Sequence, residues 1–309
     1  MEKKTAEAIW FNGKIIPWRE ATVHVMTHAL HYGTSVFEGI RVYDSYQGAV
    51  AFRLTDHMER LYNSARIYRM PIPYAIDTLI QACKDIVIAN KLSRAYLRPL
   101  AFYGEVGMGI AVDEEINAEV LVAAFDWGAY LGEQSKAQGI HLGMSSWNRL
   151  APNTLPTAAK AGGNYLSSVQ ISAEAKRNGF DEGIALDTKG YLSEASGANI
   201  FVVKQGKLYT PPAAAAILTG ITRDTVMTLA AELGYQVIEE QLPREFLYLA
   251  DELFLTGTAT EIVPVCTLDY MQIGSGKPGE VTKALQAAFF GLFSGETQDK
   301  WGWLEPIQP

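Results

Sequence analysis

The sequence predicts an α+β fold rather than a doubly wound parallel sheet. Its strand-like segments begin in hairpins, and its helical segments are grouped instead of alternating strictly with strands. The 309 residues are 48% apolar and 19% charged, a composition typical of folded domains. A chain of this length can form one large domain or two modest ones, each with its own core.

Two periodicities locate the elements. Alternating apolar residues bounded by turn signals indicate strands, which the sequence predicts at residues 8–11, 14–17, 35–43, 95–103, 118–125, 140–147, 183–187, 199–204, 207–210 and 252–256. Apolar residues that recur every three or four positions indicate helices, which the sequence predicts at residues 55–69, 77–90, 165–177, 222–233 and 281–292.

The first strands illustrate the reasoning. Asn12-Gly13 separates two short apolar runs, which is the strongest short-range signal of a β-hairpin. In the strand predicted at 35–43, a period of two puts Phe37, Gly39 and Arg41 on one face. These three side chains are therefore expected to share their surroundings.

The first long helix has one apolar stripe. The stripe consists of Met58, Leu61, Tyr62, Ala65 and Tyr68. Arg60 lies opposite this stripe, so helical periodicity by itself predicts a solvated arginine.

The periodic pattern breaks at residues 126–132, where two glycines occur without an apolar repeat. We therefore predict a small N-terminal domain at residues 1–126, an interdomain loop at 127–136 and a larger C-terminal domain at 137–309.

Charge and cysteine content exclude several classes of partner. Lys and Arg total 26 against 34 Asp and Glu, a formal net charge of −8, so binding to nucleic acid or an anionic membrane is not expected. The apolar runs are too short to span a membrane, and the N-terminus lacks the apolar core of a secretory signal. Cys83 and Cys266 are too few for a disulfide framework. We expect a cytoplasmic protein.

Two further patterns carry less weight. His24, His28 and His31 suggest a metal site, but no His-Glu-x-x-His or Cys-x-x-Cys accompanies them. Structural histidines are favoured, and no metal is expected. Residues 274–277 share a glycine and a lysine with phosphate loops but precede Pro278 rather than a Ser or Thr, so a surface turn is favoured.

Lys160 is the candidate nucleophile. It is flanked by alanines and followed by Gly162 and Gly163, small neighbours that leave room for a flat cofactor. Burial lowers the pKa of a lysine, as a nucleophilic amine requires. Taken alone, however, a lysine is more often a solvated surface group.

Three other groups suit an anionic, aromatic cofactor. Glu194 ends a short strand, where a carboxylate can hold a pyridinium nitrogen, although a solvent-facing hairpin residue is the simpler interpretation. A helix start offers the N–H groups of Gly220, Ile221 and Thr222 to a phosphate, with an ordinary N-cap by Thr222 as the alternative. Residues 256–259 offer a similar anion site after a strand.

Together these segments resemble one known family. The pattern is similar to the spaced signature of class IV pyridoxal-phosphate-dependent aminotransferases in the runs Glu194–Phe201, Leu208–Thr210 and Leu218–Arg223. Within that family it resembles the bacterial branched-chain amino acid aminotransferases, over essentially the whole chain, in the runs His31–Gly39, Tyr96–Pro99, Ser146–Arg149 and Ala159–Tyr165. The chain departs from the pattern at Ala198, where many relatives have glutamate, and at Thr260, where alanine is common.

The resemblance implies a fold and a reaction. The fold has a small N-terminal α/β sandwich-like domain and a larger C-terminal pseudo-barrel domain, with pyridoxal 5′-phosphate between them. The reaction moves the amino group of L-leucine, L-isoleucine or L-valine to 2-oxoglutarate, giving L-glutamate, and runs in reverse, by a ping-pong mechanism. Such an enzyme would serve branched-chain amino acid biosynthesis.

The resemblance also implies cofactor contacts. They are Arg60, Lys160, Tyr165, Glu194, Leu218, Gly220, Ile221, Thr222 and Thr258. Lys160 would bind the cofactor covalently and carry protons, Glu194 would keep the pyridine nitrogen protonated, and Tyr165 would hydrogen-bond the phenolic oxygen. Leu218 would pack on the ring. The phosphate would be held by Arg60, Ile221, Thr222 and Thr258.

Substrate contacts follow in the same way. They are Tyr32, Phe37, Gly39, Tyr96, Arg98, Trp127, Thr258 and Ala259. The backbone N–H groups of Thr258 and Ala259 would bind the α-carboxylate. Arg98, together with Tyr32, is the natural partner for the side-chain carboxylate of glutamate.

Alternatives stay open on the same scaffold. They are an amine or D-amino acid transaminase, an aminodeoxychorismate-type lyase, and a non-catalytic binding protein that keeps the fold. The run Tyr96-x-Arg98-Pro99 favours the branched-chain enzyme. The resemblance further implies a homodimer, which in some relatives assembles into a hexamer.

Overall fold

The computed structural model describes residues 6–128, 130–132 and 134–308. Two compact units make up the chain. Unit 1 consists of Met1–Trp127, Ala159–Gly163 and Phe293–Pro309, and unit 2 of Gly128–Ala158 and Asn164–Leu292. Each unit combines a sheet with helices, so the predicted α+β class is confirmed.

The described strands and helices are as follows. The strands are β1 (Ala8–Phe11), β2 (Lys14–Pro17), β3 (Ser35–Phe37), β4 (Ile40–Ser45), β5 (Gly48–Phe52), β6 (Ala95–Phe102), β7 (Glu119–Phe125), β8 (Ile140–Met144), β9 (Glu182–Leu186), β10 (Leu192–Ala195), β11 (Asn199–Lys204), β12 (Lys207–Thr210), β13 (Val237–Glu239), β14 (Glu252–Gly257), β15 (Glu261–Leu268), β16 (Met271–Gln272) and β17 (Leu304–Pro306). The helices are α1 (His28–Tyr32), α2 (Leu54–Ile67), α3 (Ile76–Ala89), α4 (Ser135–Gln138), α5 (Tyr165–Arg177), α6 (Ile221–Glu232), α7 (Arg244–Tyr248) and α8 (Glu280–Ser294).

Unit 1 is built on an antiparallel sheet. Its strand order is β17-β5-β4-β6-β7-β1-β2, and β3 pairs with β6. Apolar faces of α2 and α3 form one core with this sheet, including Leu54, Met58, Leu61, Ile86, Val87, Val120 and Val122. Each such side chain stabilises the fold by about 1.5–3 kcal/mol when fully buried.

Unit 2 is built on a mixed sheet. Its strand order is β10-β9-β8-β15-β14-β11-β12-β13, and β16 pairs with β15. β8 lies parallel to both β9 and β15, and β12 lies parallel to β13. The core on this sheet includes Leu142, Ile184, Ile200, Leu253, Leu255 and Val263.

Many predicted elements are confirmed, but the single strand at 35–43 is wrong. It is two strands, β3 and β4, which pair with different parts of β6. Between them the N–H of Glu38 donates to the carbonyl of Pro99 at 2.8 Å. Because Pro99 has no N–H to donate in return, the ladder is interrupted at this point.

Two strands inside the sheets, β5 and β15, were not predicted from the sequence. β15 is buried along almost its whole length, so it lacks the apolar–polar alternation that marks a half-buried strand. It also contains Pro264, which argues against a central strand in a sequence-based prediction.

The domain boundaries at 126 and 137 stay a prediction, and the compact units differ from them in two segments. Residues 159–163 and 293–309 belong with unit 1. Within residues 6–128, 130–132 and 134–308, no helix is long and apolar enough to cross a bilayer. In the same ranges, no three His, Cys, Asp or Glu side chains are grouped as a metal site.

Candidate active site

Lys160 lies in a short segment that unit 1 holds by its backbone. The N–H of Lys160 donates to Ser64 Oγ at 3.0 Å, and its carbonyl accepts from the N–H of Phe37 at 3.0 Å. Ser64, on α2, is fully buried. The Nζ atom of Lys160 lies 4.9 Å from the centroid of the Phe37 ring. The amine is therefore fixed close to an aromatic face of unit 1.

Gly162, two residues after Lys160, is required by a close approach of two chain segments. A Cβ on Gly162 would lie 2.3 Å from Ser35 Oγ, which is far inside van der Waals contact. The N–H of Gly163 donates to the carbonyl of Gly33 at 3.2 Å. Contact with Ser35 thus explains Gly162, and this contact cannot be seen in the sequence.

Arg60 corrects the prediction from helical periodicity. Its side chain is only 13% exposed and points inward on α2. The Nε and Nη2 atoms donate to Glu38 Oε1 and Oε2 at 2.7 and 2.9 Å. A buried carboxylate, rather than apolar contact, draws Arg60 inward, and a hydrophobic pattern cannot detect such an ion pair.

Four of the predicted substrate residues form one cluster in unit 1. The guanidinium carbon of Arg98 lies 4.8 Å from the ring centroid of Phe37 and 5.4 Å from that of Tyr96. The Trp127 ring meets the Tyr96 ring edge-on, with centroids 4.5 Å apart. Arg98 therefore lies beside two aromatic rings, one of which packs against Trp127, and this setting suits both an apolar group and a carboxylate.

Gly39 completes this cluster, and its replacement by alanine is expected to disturb Tyr96. A Cβ at position 39 would lie 1.9 Å from Tyr96 Oη and 2.7 Å from Cζ. Because Tyr96 is 5% exposed and packed against Trp127, the ring has little room to move. We expect Gly39→Ala to cost about 1–3 kcal/mol of stability and to lower kcat/KM.

Thermal unfolding and steady-state kinetics measure both effects. Tyr96→Phe is the control, because it removes the hydroxyl and leaves the ring in place. Unchanged kinetics and unchanged Tm in Gly39→Ala would show that the close contact does not matter.

Tyr32 is the last residue of α1. Its hydroxyl donates to the carbonyl of Met108 at 3.0 Å, and its ring centroid is 4.5 Å from that of His28. Tyr32 is 40% exposed. The expected role of Tyr32, which is to meet the side-chain carboxylate of glutamate together with Arg98, stays a prediction.

Glu194 is a buried carboxylate of unit 2, with 6% exposure. Its Oε1 accepts from Arg149 Nη2 at 2.6 Å, and its Oε2 accepts from Asn199 Nδ2 at 3.0 Å and from the N–H of Leu218 at 3.1 Å. The interpretation as a solvent-facing hairpin residue is therefore wrong. Neither Arg149 nor Asn199 was predicted as a partner, although both stand in family-like runs.

The start of α6 is adjacent to this carboxylate. The helix begins at Ile221 after an N-cap at Gly220, which as a glycine has no side chain to cap the helix. The alternative of an N-cap by Thr222 is therefore wrong, and the first-turn N–H groups form the positive end of the helix dipole. A Cβ at Gly220 would lie 2.1 Å from Asn199 Oδ1. Asn199 thus links Glu194 to the helix start.

The turn between β14 and β15 holds Thr258 and Ala259. Within the described residues, Thr256 Oγ1 is buried and has no hydrogen-bond partner. Both departures from the family pattern border this turn. A Cβ on Gly257 would lie 3.7 Å from Ala198 Cβ and 3.6 Å from Thr260 Oγ1. The two unusual residues therefore share one location, close to Thr258.

Tyr165 is the first residue of α5 in unit 2. The predicted cofactor contacts are thus divided between the units. Arg60 and Lys160 belong to unit 1, whereas Tyr165, Glu194, Leu218, Gly220, Ile221, Thr222 and Thr258 belong to unit 2.

Comparison with known proteins identifies the class to which this fold and these residues belong. Residues 35–268 match the profile of the family described as amino-transferase class IV, and the chain belongs to this family. It is similar to the branched-chain-amino-acid aminotransferase of Salmonella typhimurium, with 58% identity over 307 residues and 99% of each chain covered.

Solved structures agree with this assignment. The crystal structure of the Escherichia coli branched-chain amino acid aminotransferase is similar with a TM-score of 0.98 at 57% identity, covering 98% of this chain and 100% of that one. The branched-chain amino acid aminotransferase from Thermobaculum terrenum, in its PLP-form (holo-form), has a TM-score of 0.92 at 36% identity, covering 99% and 100%.

Proposed function

We propose that this protein transfers the amino group of L-leucine, L-isoleucine or L-valine to 2-oxoglutarate, and in reverse, with pyridoxal 5′-phosphate as cofactor. The observation that carries the proposal is the pair of cations beside Phe37. Lys160 Nζ lies 4.9 Å and the Arg98 guanidinium carbon 4.8 Å from the centroid of that ring. A nucleophilic amine and a partner for a carboxylate thus flank one aromatic wall. The names of the similar proteins support the branched-chain substrates.

The residues present fit this cofactor. When bound, pyridoxal 5′-phosphate supplies an aldehyde that exchanges amino groups and a ring that accepts electrons. Lys160 provides the amine, which the cofactor needs for covalent attachment and which carries the α-proton. Glu194 provides a buried anionic acceptor, suited to hold a proton at the pyridine nitrogen. Tyr165 is assigned to the phenolic oxygen, and Leu218 to the face of the ring.

The phosphate is assigned to three kinds of donor. The start of α6 contributes the N–H groups of Ile221 and Thr222, next to Gly220, and a helix start is a natural anion site. Thr258 adds a hydroxyl and an N–H, and Arg60 adds a guanidinium, which binds phosphate with directional hydrogen bonds.

The substrate site must accept both an apolar and an acidic side chain. Phe37, Tyr96 and Trp127 form an apolar wall, and we assign the α-carboxylate to the N–H groups of Thr258 and Ala259. Arg98 forms no ion pair with a carboxylate among the described residues, and its Nε is buried without a hydrogen-bond partner. A buried donor without a partner is costly, so this arginine is well suited to receive the carboxylate of glutamate.

Arg98→Met tests the dual recognition. Because a charged side chain cannot be buried unpaired without a large cost, the variant should lower kcat/KM for glutamate and 2-oxoglutarate by about 10- to 100-fold. The half-reaction with leucine should change little, since methionine keeps the wall apolar. Single-turnover kinetics of each half-reaction measure the difference.

Arg94→Met is the matched control, because Arg94 precedes β6, is exposed and carries the same charge. Equal losses with leucine and glutamate in Arg98→Met would assign Arg98 to the α-carboxylate or to structure. Turnover of chiral amines or D-amino acids, with none of L-amino acids, would overturn the substrate class and leave the cofactor roles intact.

We further propose a homodimer located in the cytoplasm. Val25, Leu30 and Ile110 are 73%, 65% and 82% exposed. Hydrogen bonds from His28 to the Gly109 carbonyl and from Tyr32 to the Met108 carbonyl hold their two segments together, so the side chains support one apolar contact surface. Light scattering measures the molar mass. The mass of a single chain would contradict the dimer, and that of six chains would indicate a hexamer.

A further inference from the structure

Glu38 occupies the gap between β3 and β4, and its side chain is fully buried. Four N–H groups surround its carboxylate. Arg60 Nε donates to Oε1 at 2.7 Å, and Oε2 receives Arg60 Nη2 at 2.9 Å, His57 Nδ1 at 2.6 Å and the N–H of Gly39 at 3.3 Å. Enclosing one carboxylate in this way is costly unless each of its partners is in place.

The charges of this cluster follow from its surroundings. Burial alone would raise the pKa of Glu38, but the Arg60 guanidinium and His57 together hold it well below its usual range. Burial, together with the charges of Arg60 and Lys160, lowers the pKa of His57 although Glu38 raises it, and the net shift is downward. His57 is therefore neutral, and its Nδ1–H donates to an ionised Glu38.

Arg60 donates two hydrogen bonds to Glu38, and both come from one edge of its guanidinium. We call this pair of bonds the fork. It engages Nε and Nη2 and leaves Nη1 outside the fork. Because the guanidinium is planar and its donors are fixed relative to one another, two bonds on one edge determine the direction of the opposite edge. His57, one helical turn before Arg60 on α2, holds the carboxylate from the other side.

We propose that Glu38 is a positioning residue, which keeps Arg60 inside unit 1 with a fixed guanidinium plane, ready for the cofactor's phosphate. This proposal rests on the proposed function, in which Arg60 binds that phosphate. Glu38 does not touch the reacting atoms in this account. It acts only through Arg60.

Two effects of Glu38 on phosphate binding oppose each other. A carboxylate repels a phosphate, so its removal alone would tighten binding. The repulsion is small, however, because the Arg60 guanidinium neutralises the carboxylate at 2.7 Å. Without Glu38, Arg60 would be a buried charge lacking its main partner, and its 13% exposed side chain has a route to water. The phosphate site would then lose both the fixed orientation of the Arg60 guanidinium and its positive charge.

The experiment compares two ligands in Glu38→Gln, a change that keeps the size of the side chain. The cofactor-free variant is titrated with pyridoxal 5′-phosphate and with pyridoxal, which has the same ring without the phosphate, and binding is followed by visible absorbance. We expect affinity for pyridoxal 5′-phosphate to fall about 10- to 30-fold, the equivalent of freezing one arginine side chain. Affinity for pyridoxal should stay within about twofold, which is the scatter expected where no contact changes.

The matched control is Glu59→Gln, which removes an exposed carboxylate next to Arg60 on the same helix. It should bind both ligands like the unmodified protein. Equal losses for both ligands in Glu38→Gln would mean that Glu38 serves general packing. Tighter binding of pyridoxal 5′-phosphate would mean that repulsion outweighs positioning. Either result overturns the proposal.

Arg60→Gln separates this proposal from the proposed function. If Arg60→Gln lowers affinity for pyridoxal 5′-phosphate while Glu38→Gln does not, the positioning role of Glu38 is refuted and the phosphate role of Arg60 is supported. If Arg60→Gln binds both ligands normally, the phosphate role of Arg60 is refuted. Should Glu38→Gln fail to fold, Glu38→Asp keeps the charge but is too short for both bonds of the fork. It should show the same selective loss, and normal binding there would overturn the proposal.

Discussion

Replacing Lys160 by alanine is expected to abolish amino-group transfer while the chain still folds. The hydrogen bonds that hold this segment involve the N–H and carbonyl of Lys160, and alanine keeps both. Only the amine near Phe37 is lost, and with it both the covalent attachment and the proton carrier. Turnover should fall by more than about 10⁴-fold, the upper range for loss of a general acid–base group.

Three measurements check this expectation. The purified protein should bind pyridoxal 5′-phosphate with a visible absorbance, and borohydride should fix the cofactor to the peptide that contains Lys160. Lys160→Ala should still bind the cofactor through its phosphate contacts. Lys189→Ala, at an exposed turn, is the control and should react normally. Labelling of a different lysine would refute the assignment.

Glu194→Gln is expected to slow the chemical step far more than it weakens cofactor binding. The amide keeps the size of the carboxylate but cannot stabilise a protonated pyridine nitrogen, so the ring becomes a poorer acceptor of electrons when the α-proton leaves. Loss of one such oriented electrostatic contact costs about 10²- to 10³-fold in rate.

Single-turnover rates and cofactor titrations separate the two effects. Glu182→Gln is a suitable control, because Glu182 is also a buried carboxylate, on the neighbouring strand β9. Glutamine has the same size as glutamate there and keeps an oxygen that can accept from the N–H of Gly183. Similar rate losses in both variants would assign Glu194 to the stability of the sheet rather than to chemistry.

Turn residues and apolar periodicity correctly predicted strands and helices that are specified within their own segment. The hairpin of β1 and β2 and the helix α5 have the predicted bounds, because turn residues and helical periodicity specify them within the segment. β15 was missed, since a strand buried on both faces carries no alternation. The break between β3 and β4 depends on Pro99 in another strand, which no local pattern can show.

The residues of the candidate site also differ in whether the sequence could predict them. Lys160 stood out because its small neighbours are visible in the sequence, and resemblance supplied the other assigned residues. The partners that orient them were not predicted. Glu38 reaches Arg60 from 22 positions away, and Arg149 reaches Glu194 from 45. Ion pairs at such separations leave no periodic signal, and only the folded chain brings their members together.

The interrupted composition of unit 1 has a consequence for synthesis on the ribosome. β5 obtains its outer partner only from β17, with Leu304 opposite Phe52, and Phe37 donates to the carbonyl of Lys160. Domains commonly fold in the order in which they emerge, but here residues of unit 1 emerge both before and after those of unit 2. Until residue 304 has been made, β5 lacks that neighbour and presents a free edge that can pair with other chains. The unit that begins first is therefore completed last.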